Sequence, residues 1–344
     1  MKYFSTFSGA GGFEIGINEK GVCVGHSEIN KYAIQVYEKH YPTHKNYGDI
    51  SKIEWSRVPD FDLLVGGSPC QDLSIAGKRK GLAGGRSGLF YHYIRALKEK
   101  QPKYFIWENV RGALSSNNGW DFAEVQDEFS KAGYSITWQV LNSKHFGVPQ
   151  NRERIFVIGT RGECAREVFF ERPSTDEHSD KTIEQGCATT LTVRGARGGN
   201  RRGNYIIQIN KPKHSNNRIY ETGGVAPTLN TMQGGNRQPF ILIPEPTRLG
   251  YAIAKEGDSI NLSVPNSKTR RGRVGHGVAQ TLDTGMQQYT LVKGRVRRLT
   301  ELECERIMGW PDGHTAGVSS SQRYKICGNG VVSNVVHSII EKLI

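Results

Sequence analysis

Along the first 160 residues, apolar runs of strand length alternate with stretches whose apolar positions recur at helical spacing. The strand-like runs are Tyr3–Phe7, Val22–Ser27, a short one near Tyr47–Ile50, Asp62–Val65, Tyr104–Trp107, Ile136–Leu141 and Ile155–Ile158. Helical patterns cover Phe13–Glu19, Lys31–His40, Leu89–Lys100 and Trp120–Ala132. This alternation predicts an α/β fold, a doubly wound, mostly parallel sheet whose ligands sit beyond the carboxyl ends of the strands.

After Arg161 the pattern breaks, and helical periodicity does not return until Leu299. Gly, Arg, Asn and Thr dominate around three β-like runs, Tyr205–Ile209, Phe240–Ile243 and Tyr289–Val292, which predicts a second, small, irregular β-rich domain. It carries an internal repeat: Gly186–Leu191 recurs as Gly224–Leu229 and as Gly277–Leu282, each ending in Thr-Leu. The first two copies run on into Gly-Gly-Asn-Arg, ending at Arg201 and Arg237. Thr300 and Glu303 have capping-box spacing at the start of a new helix, and Asn329–Leu343 is an apolar closing element that would pack back on the first domain. The expected organisation is residues 1–163, 164–296 and a returning segment 297–344.

Composition narrows the class. Hydrophobic content is 36%, and no apolar run approaches the ~20 residues of a membrane span. A strand-like start at Tyr3 leaves no room for a signal peptide, so a cytosolic protein is expected. The six cysteines show no C-x-x-C spacing, which predicts neither a metal site nor a disulfide framework. Net charge is +13, and Thr190–Arg298 alone holds 18 Lys/Arg against 5 Asp/Glu, so the whole excess lies there. A basic block beside a neutral one implies a polyanionic partner; a merely solvated basic face would not explain the confinement.

The candidate chemistry sits where strands meet loops. Phe7-Ser8-Gly9-Ala10-Gly11-Gly12 follows the first strand, and its glycines would let a ligand approach the backbone. It is not the dinucleotide fingerprint, because Glu14 stands where the third glycine belongs, and a nicotinamide-binding oxidoreductase fails on that point. Glu28 ends the second strand, where a carboxylate can accept both ribose hydroxyls, and Asp49 could accept from an adenine amino group. Cys70 follows Leu63-Leu64-Val65, Glu108 follows Tyr104–Trp107, and Arg152 and Arg154 precede Ile155–Ile158. A thiol, a carboxyl and two arginines at neighbouring strand tips suit covalent chemistry on an electron-poor ring.

In order, Phe7–Gly12, Glu28, Gly48-Asp49-Ile50, Pro69-Cys70-Gln71, Ser87–Phe90, Glu108-Asn109-Val110, Gln150–Arg154, Arg298–Thr300, Cys304–Gly309 and Gly328–Val332 resemble the cytosine-C5 DNA methyltransferase family of bacteria and their phages. The likeness covers the first 160 and last 45 residues, and the basic middle takes the place of the family's variable target-recognition domain. It implies S-adenosylmethionine as methyl donor and S-adenosylhomocysteine as product, held by Phe7, Gly9, Gly11, Gly12, Glu28, Asp49, Ile50, Leu89 and Asn329. It implies Cys70 as the nucleophile, Glu108 as the acid at ring N3, and Arg152 and Arg154 as orienting groups. One departure is Gly330, where many members carry Ser, which puts a hydroxyl contact to the cofactor in doubt.

Reaching a cytosine inside a duplex requires flipping it out, at a cost of a few kcal/mol. Gln71–Ser87 is glycine-rich and basic, so Lys78, Arg79 and Lys80 would close on the DNA backbone, with Gln71 or Ser74 near the vacated stack. Arg201 or Arg237 would read base edges, and Thr281-Leu282 is the nearest positional match to the family's Thr-Leu recognition pair. The expected partner is duplex DNA, bound by a monomer, with a restriction endonuclease as a functional counterpart. An RNA methyltransferase and a catalytically dead DNA-binding protein are the rival readings; the basic segment and Pro-Cys-Gln favour DNA, and the intact Cys70 and Glu108 argue for activity.

Overall fold

The computed structural model describes residues 1–69, 88–162, 170, 219–220, 240–264, 267–285, 287–292 and 295–344. Cys70, the loop to Ser87, Tyr205–Ile209, Arg201, Arg237 and the first two copies of the repeat lie outside them.

The chain divides into two compact units, one formed by Met1–Val168, Gly277–Gln288 and Arg298–Ile344, the other by Phe169–His276 and Tyr289–Arg297. The first begins β1 (Lys2–Thr6), α1 (Gly12–Ile17), β2 (Val22–Ser27), α2 (Lys31–His40), β3 (Leu63–Gly66), α3 (Gly88–Lys100) and β4 (Tyr104–Val110). It continues with α4 (Trp120–Lys131), β5 (Tyr134–Asn142), β6 (Gln150–Asn151) and β7 (Glu153–Arg161). The sheet order is β2-β1-β3-β4-β7-β5. It is parallel from β2 through β4 and antiparallel where β7 meets β4 and β5.

Both faces of this sheet are covered, as a doubly wound fold requires. Successive strand side chains point to opposite faces. Phe4, Leu64, Phe105 and Trp107 pack with Phe90, Tyr93 and Leu97 of α3 and Phe129 of α4. Their strand neighbours Leu63, Val65 and Ile106 face the other way and are equally buried. The expected strand at Tyr47–Ile50 is not formed. It reduces to one bridge between His26 and Asn46, because Gly48 takes a left-handed φ of 73° and Asp49 caps a short 3-10 turn through Ser51 N–H.

The second unit has two small sheets among its described residues. One joins β8 (Ile219–Tyr220), β9 (Phe240–Pro244) and β10 (Tyr251–Ala254); the other joins β11 (Ser259–Asn261) to β12 (Val274–Gly275) and, beyond the next strand in sequence, to β14 and β15. That intervening strand, β13 (Ala279–Gln280), belongs to the first unit, pairing in parallel with β6; β14 is Gln288–Val292 and β15 is Arg295–Arg298. Ile243, Ala254, Ile260 and Leu291 form the second unit's own buried cluster.

The chain then returns to the first unit as α5 (Glu301–Ile307), α6 (Ser320–Asn329) and α7 (Ser333–Leu343). Thr300 and Glu303 form the reciprocal capping box that their spacing predicts. α7 packs on α1 so closely that a Cβ on Gly16 would stand 2.6 Å from Val336 Cβ. Among the described residues no helix is long and apolar enough to cross a membrane.

Candidate active site

One cavity of about 470 Å³ in the first unit gathers most of the residues singled out above. Phe7, Gly9, Gly12, Glu28, Asp49, Ile50, Leu89 and Asn329 line it, together with Glu108, Arg152, Arg154 and the end of the β3 loop, Gly67-Ser68-Pro69. Its size suits a nucleoside-sized ligand. Cys70 comes next in the chain after Pro69.

The glycine loop divides its labour. Phe7, Gly9 and Gly11 all have left-handed φ, of 50°, 57° and 92°. At Gly9 a Cβ would meet nothing within 4 Å, so there is room for a ligand against the backbone. Gly11, which does not line the cavity, instead makes room for protein: a Cβ would stand 2.7 Å from Tyr41 Cε2.

Glu28 is more committed than its sequence position suggests. Its Oε2 accepts the Gly9 N–H at 2.9 Å, and its Oε1 accepts Ile29 and Asn30 N–H at 2.8 and 2.7 Å. A carboxylate offers about four acceptor places, so one remains, on Oε2. The adjacent Ile29 is 72% exposed at the cavity, an apolar surface open to a ring.

Glu108 and Arg154 meet across β4 and β7. Val110 pairs with Arg154 and Glu108 with Phe156, so Glu108 and Arg154 are diagonal neighbours on one face. Arg154 Nε lies 3.0 Å from Glu108 Oε1, and both side chains are about 15% exposed. Burial raises the Glu108 carboxyl above its ordinary value, against the pull of Arg154 and then Arg152. The arginines stand at the amino end of β7, not at a carboxyl end. They reach the site because β7 runs antiparallel to β4.

Arg152 takes a different part from Arg154. It is 2% exposed; Nη1 donates to Leu282 O at 3.1 Å, and Nη2 to Gly328 O and Gly330 O at 3.0 and 2.7 Å. Two residues earlier on the same side, Gln150 donates to Ile307 O at 2.7 Å and accepts Leu282 N–H at 3.3 Å. These two side chains fasten the 277–288 segment and the returning C-terminal segment to the start of β7. Leu282 is 5% exposed and held by both, and Thr281 Oγ1 donates to Asn151 O. Of the pair that matches the family's Thr-Leu position, Leu282 packs its side chain inside the first unit, while Thr281 is held by its hydroxyl.

Sequence reasoning missed several supports. Ser68 is gripped from β4: Trp107 Nε1 donates to its Oγ at 3.1 Å and Asn109 Nδ2 to its carbonyl at 3.3 Å. Asn109 was visible only as part of Glu-Asn-Val, with no role attached. Trp310 also lines the cavity, and its only signal was an aromatic between Gly309 and Pro311.

Beneath the loop lies a buried polar chain. Ser8 Oγ is 2.8 Å from His26 Nδ1, the His26 ring stacks on Tyr37 at 3.8 Å, and Tyr37 OH donates to Glu14 Oε1 at 3.0 Å. Burial pushes Glu14 up to about 7 and His26 down to about 4. Among the described residues no cluster of His, Cys, Asp and Glu could hold a metal ion.

Comparison with known proteins agrees with this architecture. The chain matches the family described as C-5 cytosine-specific DNA methylase over residues 1–344. It is 30% identical to the orphan methyltransferase M.Rho11sI of Bacillus phage rho11s, covering 100% of this chain and 98% of that one. It is 32% identical to the type II methyltransferase M.HhaI of Haemophilus parahaemolyticus, covering 98% and 93%. In fold it is similar to a putative DNA modification methyltransferase from an E. coli prophage, with a TM-score of 0.60, 18% identity and coverage of 100% and 98%. It is likewise similar to the Entamoeba histolytica methyltransferase EhMeth, with a TM-score of 0.57, 17% identity and coverage of 100% and 97%. The match over the whole length shows that the chain belongs to the C-5 cytosine-specific DNA methylases and is a DNA (cytosine-5-)-methyltransferase.

Proposed function

We propose that this enzyme methylates a cytosine flipped out of a short specific duplex sequence, through a transient bond between Cys70 Sγ and ring C6. C5 of cytosine is a weak nucleophile. Addition of a thiolate to C6 turns C5 into an enamine-like carbon that can take a methyl group from a bound sulfonium donor, which would leave as its thioether; loss of the C5 proton with release of the thiolate then restores the ring. The observation that carries the reading is the Glu108 carboxyl. It is largely buried, shifted towards its protonated form, and held through Oε1 by Arg154, in the cavity that Gly67-Ser68-Pro69 also lines.

A carboxyl so placed can give a proton or hydrogen bond to N3 from its other oxygen as negative charge builds on the ring. Arg154 holds Glu108; Arg152, whose Nη1 and Nη2 donate to backbone carbonyls, acts by holding the wall of the cavity. Trp107 and Asn109, by gripping Ser68, fix the backbone that leads into Cys70.

The residues at the other end of the cavity fit S-adenosylmethionine. Gly9 leaves open backbone, Glu28 has one free acceptor place, Asp49 supplies a carboxylate, and Phe7, Ile29, Ile50 and Leu89 supply apolar surface. Bound there, the donor supplies an electrophilic methyl group. Gln71, Ser74, Lys78, Arg79 and Lys80 would close on the duplex, and Arg201 and Arg237 would read it. The relatives' names point to either of two settings, phage self-modification without a nuclease or a type II system with one.

The test is a duplex carrying 5-fluorocytosine, whose C5 cannot lose a proton. With the donor present, the wild-type enzyme is expected to form a denaturation-resistant adduct that maps to Cys70, and Cys70→Ser none. No adduct, or an adduct at another residue, overturns the mechanism.

A further inference from the structure

Trp310 follows α5, and its indole is held on two sides. Nε1 donates to Val331 O at 3.2 Å, and the ring meets His314 edge-on at 5.4 Å between centroids. His314 Nε2 is itself 2.6 Å from Ala10 O. Trp310 is only 3% exposed, so the ring has nowhere to swing. One glycine makes way for it: a Cβ on Gly330 would stand 2.5 Å from Cζ2 and 2.6 Å from Cη2, whereas one on Gly12 would meet Val331 Cγ1 first, at 2.9 Å. Gly330 has φ −73° and ψ 166°, a backbone that any residue adopts. Nothing in its own conformation calls for glycine; the indole does.

We propose that Trp310 is a positioning residue of the cofactor cleft, and that glycine is required at position 330 because tryptophan stands at 310. The indole, itself part of the cavity wall, fills the space where a side chain at 330 would begin and packs against Gly330 and Val331. Those residues adjoin Asn329 in the same wall. On this view Gly330 marks a wall completed by the indole rather than a lost contact. The proposal rests on reading the cavity as the donor site.

A double-mutant cycle on the full-length protein tests it, read by calorimetric binding of S-adenosylhomocysteine without DNA. Gly330→Ser is expected to weaken binding by about tenfold or more, since overpacking a fixed wall must displace it. Trp310→Phe removes the distal indole atoms and is expected to weaken binding by about threefold, and adding Gly330→Ser to it to change affinity by less than about twofold. In Gly330→Ser, KM for the donor should rise with Kd while kcat at saturating donor stays within about twofold.

Equal effects of serine in both backgrounds, or no effect in the wild type, overturn the coupling. So does a fall in Tm with unchanged Kd, the mark of a merely structural residue. If Gly330→Ser alone is insoluble, a soluble and binding double variant upholds the coupling; an insoluble double variant beside soluble Trp310→Phe overturns it. Failure of the wild-type protein to bind S-adenosylhomocysteine overturns the donor-site reading and this proposal with it, whereas intact binding with additive effects overturns only this proposal.

Discussion

Gly67 and Glu108 share one space: a Cβ on Gly67 would stand 2.7 Å from Glu108 Oε2. The end of β3 can therefore pass against the Glu108 carboxyl only because position 67 has no side chain. In the proposed mechanism Oε2 is the oxygen that meets N3, since Arg154 occupies Oε1. Gly67→Ala is expected to lower kcat by roughly 10²-fold, the size of a lost acid, while KM for the donor changes little. Steady-state kinetics with each substrate varied would check it; a fall confined to KM would contradict it.

Arg154 opposes the burial that raises Glu108. Removing it with Arg154→Met should raise the carboxyl further. If the protonated carboxyl is the active form, activity falls as pH rises through its pKa, so the alkaline limb that Glu108 contributes should move to higher pH in the variant. The pH profile of kcat gives the answer, and a limb that moves to lower pH would contradict the assignment.

Arg152 joins three backbone carbonyls from two distant stretches of chain. Arg152→Met leaves those buried acceptors without their charged donor, and the expected loss of stability is on the order of 3 kcal/mol. Lysine cannot span all three and should rescue only part of it. Denaturant unfolding would measure both variants, and a loss below about 1 kcal/mol for Met would show that the fork is not holding these segments.

Glu14 supplies a pH dependence whose sign is fixed. Its folded value, about 7, lies above the ordinary 4.5 of an unfolded glutamate because burial disfavours the charge. Its contribution is therefore fully present below about pH 4.5, is lost as pH rises between the two values, and stays lost above about 7. The swing is on the order of 3 kcal/mol. Glu14→Gln should flatten that part of the stability profile between pH 5 and pH 8. Urea unfolding at several pH values would check it, and equal slopes in the two proteins would contradict it.

Most of the strand and helix positions in the first unit were legible in the sequence because they follow local rules. Lys31–His40 and Val22–Ser27 stand as their apolar spacing predicts, and the capping box at Thr300 stands as Thr300 and Glu303 predict. The failures came where a short apolar stretch met a competing local preference. At Tyr47–Ile50, a left-handed glycine and an Asp cap took the backbone out of the sheet.

The ordered motifs by themselves determined the reaction class and singled out the residues proposed to carry it, since chemistry on a pyrimidine ring demands particular side chains whatever holds them. Only the tertiary structure decided what each side chain has left to give. Arg152 and Arg154 are two residues apart and look alike in sequence, yet one spends its donors on Leu282, Gly328 and Gly330 and the other on Glu108. Likewise Gly9 faces open space while Gly11 and Gly330 yield to Tyr41 and Trp310. Hydrogen-bond partners and excluded volume come from residues tens to hundreds of positions away, and no local pattern encodes them.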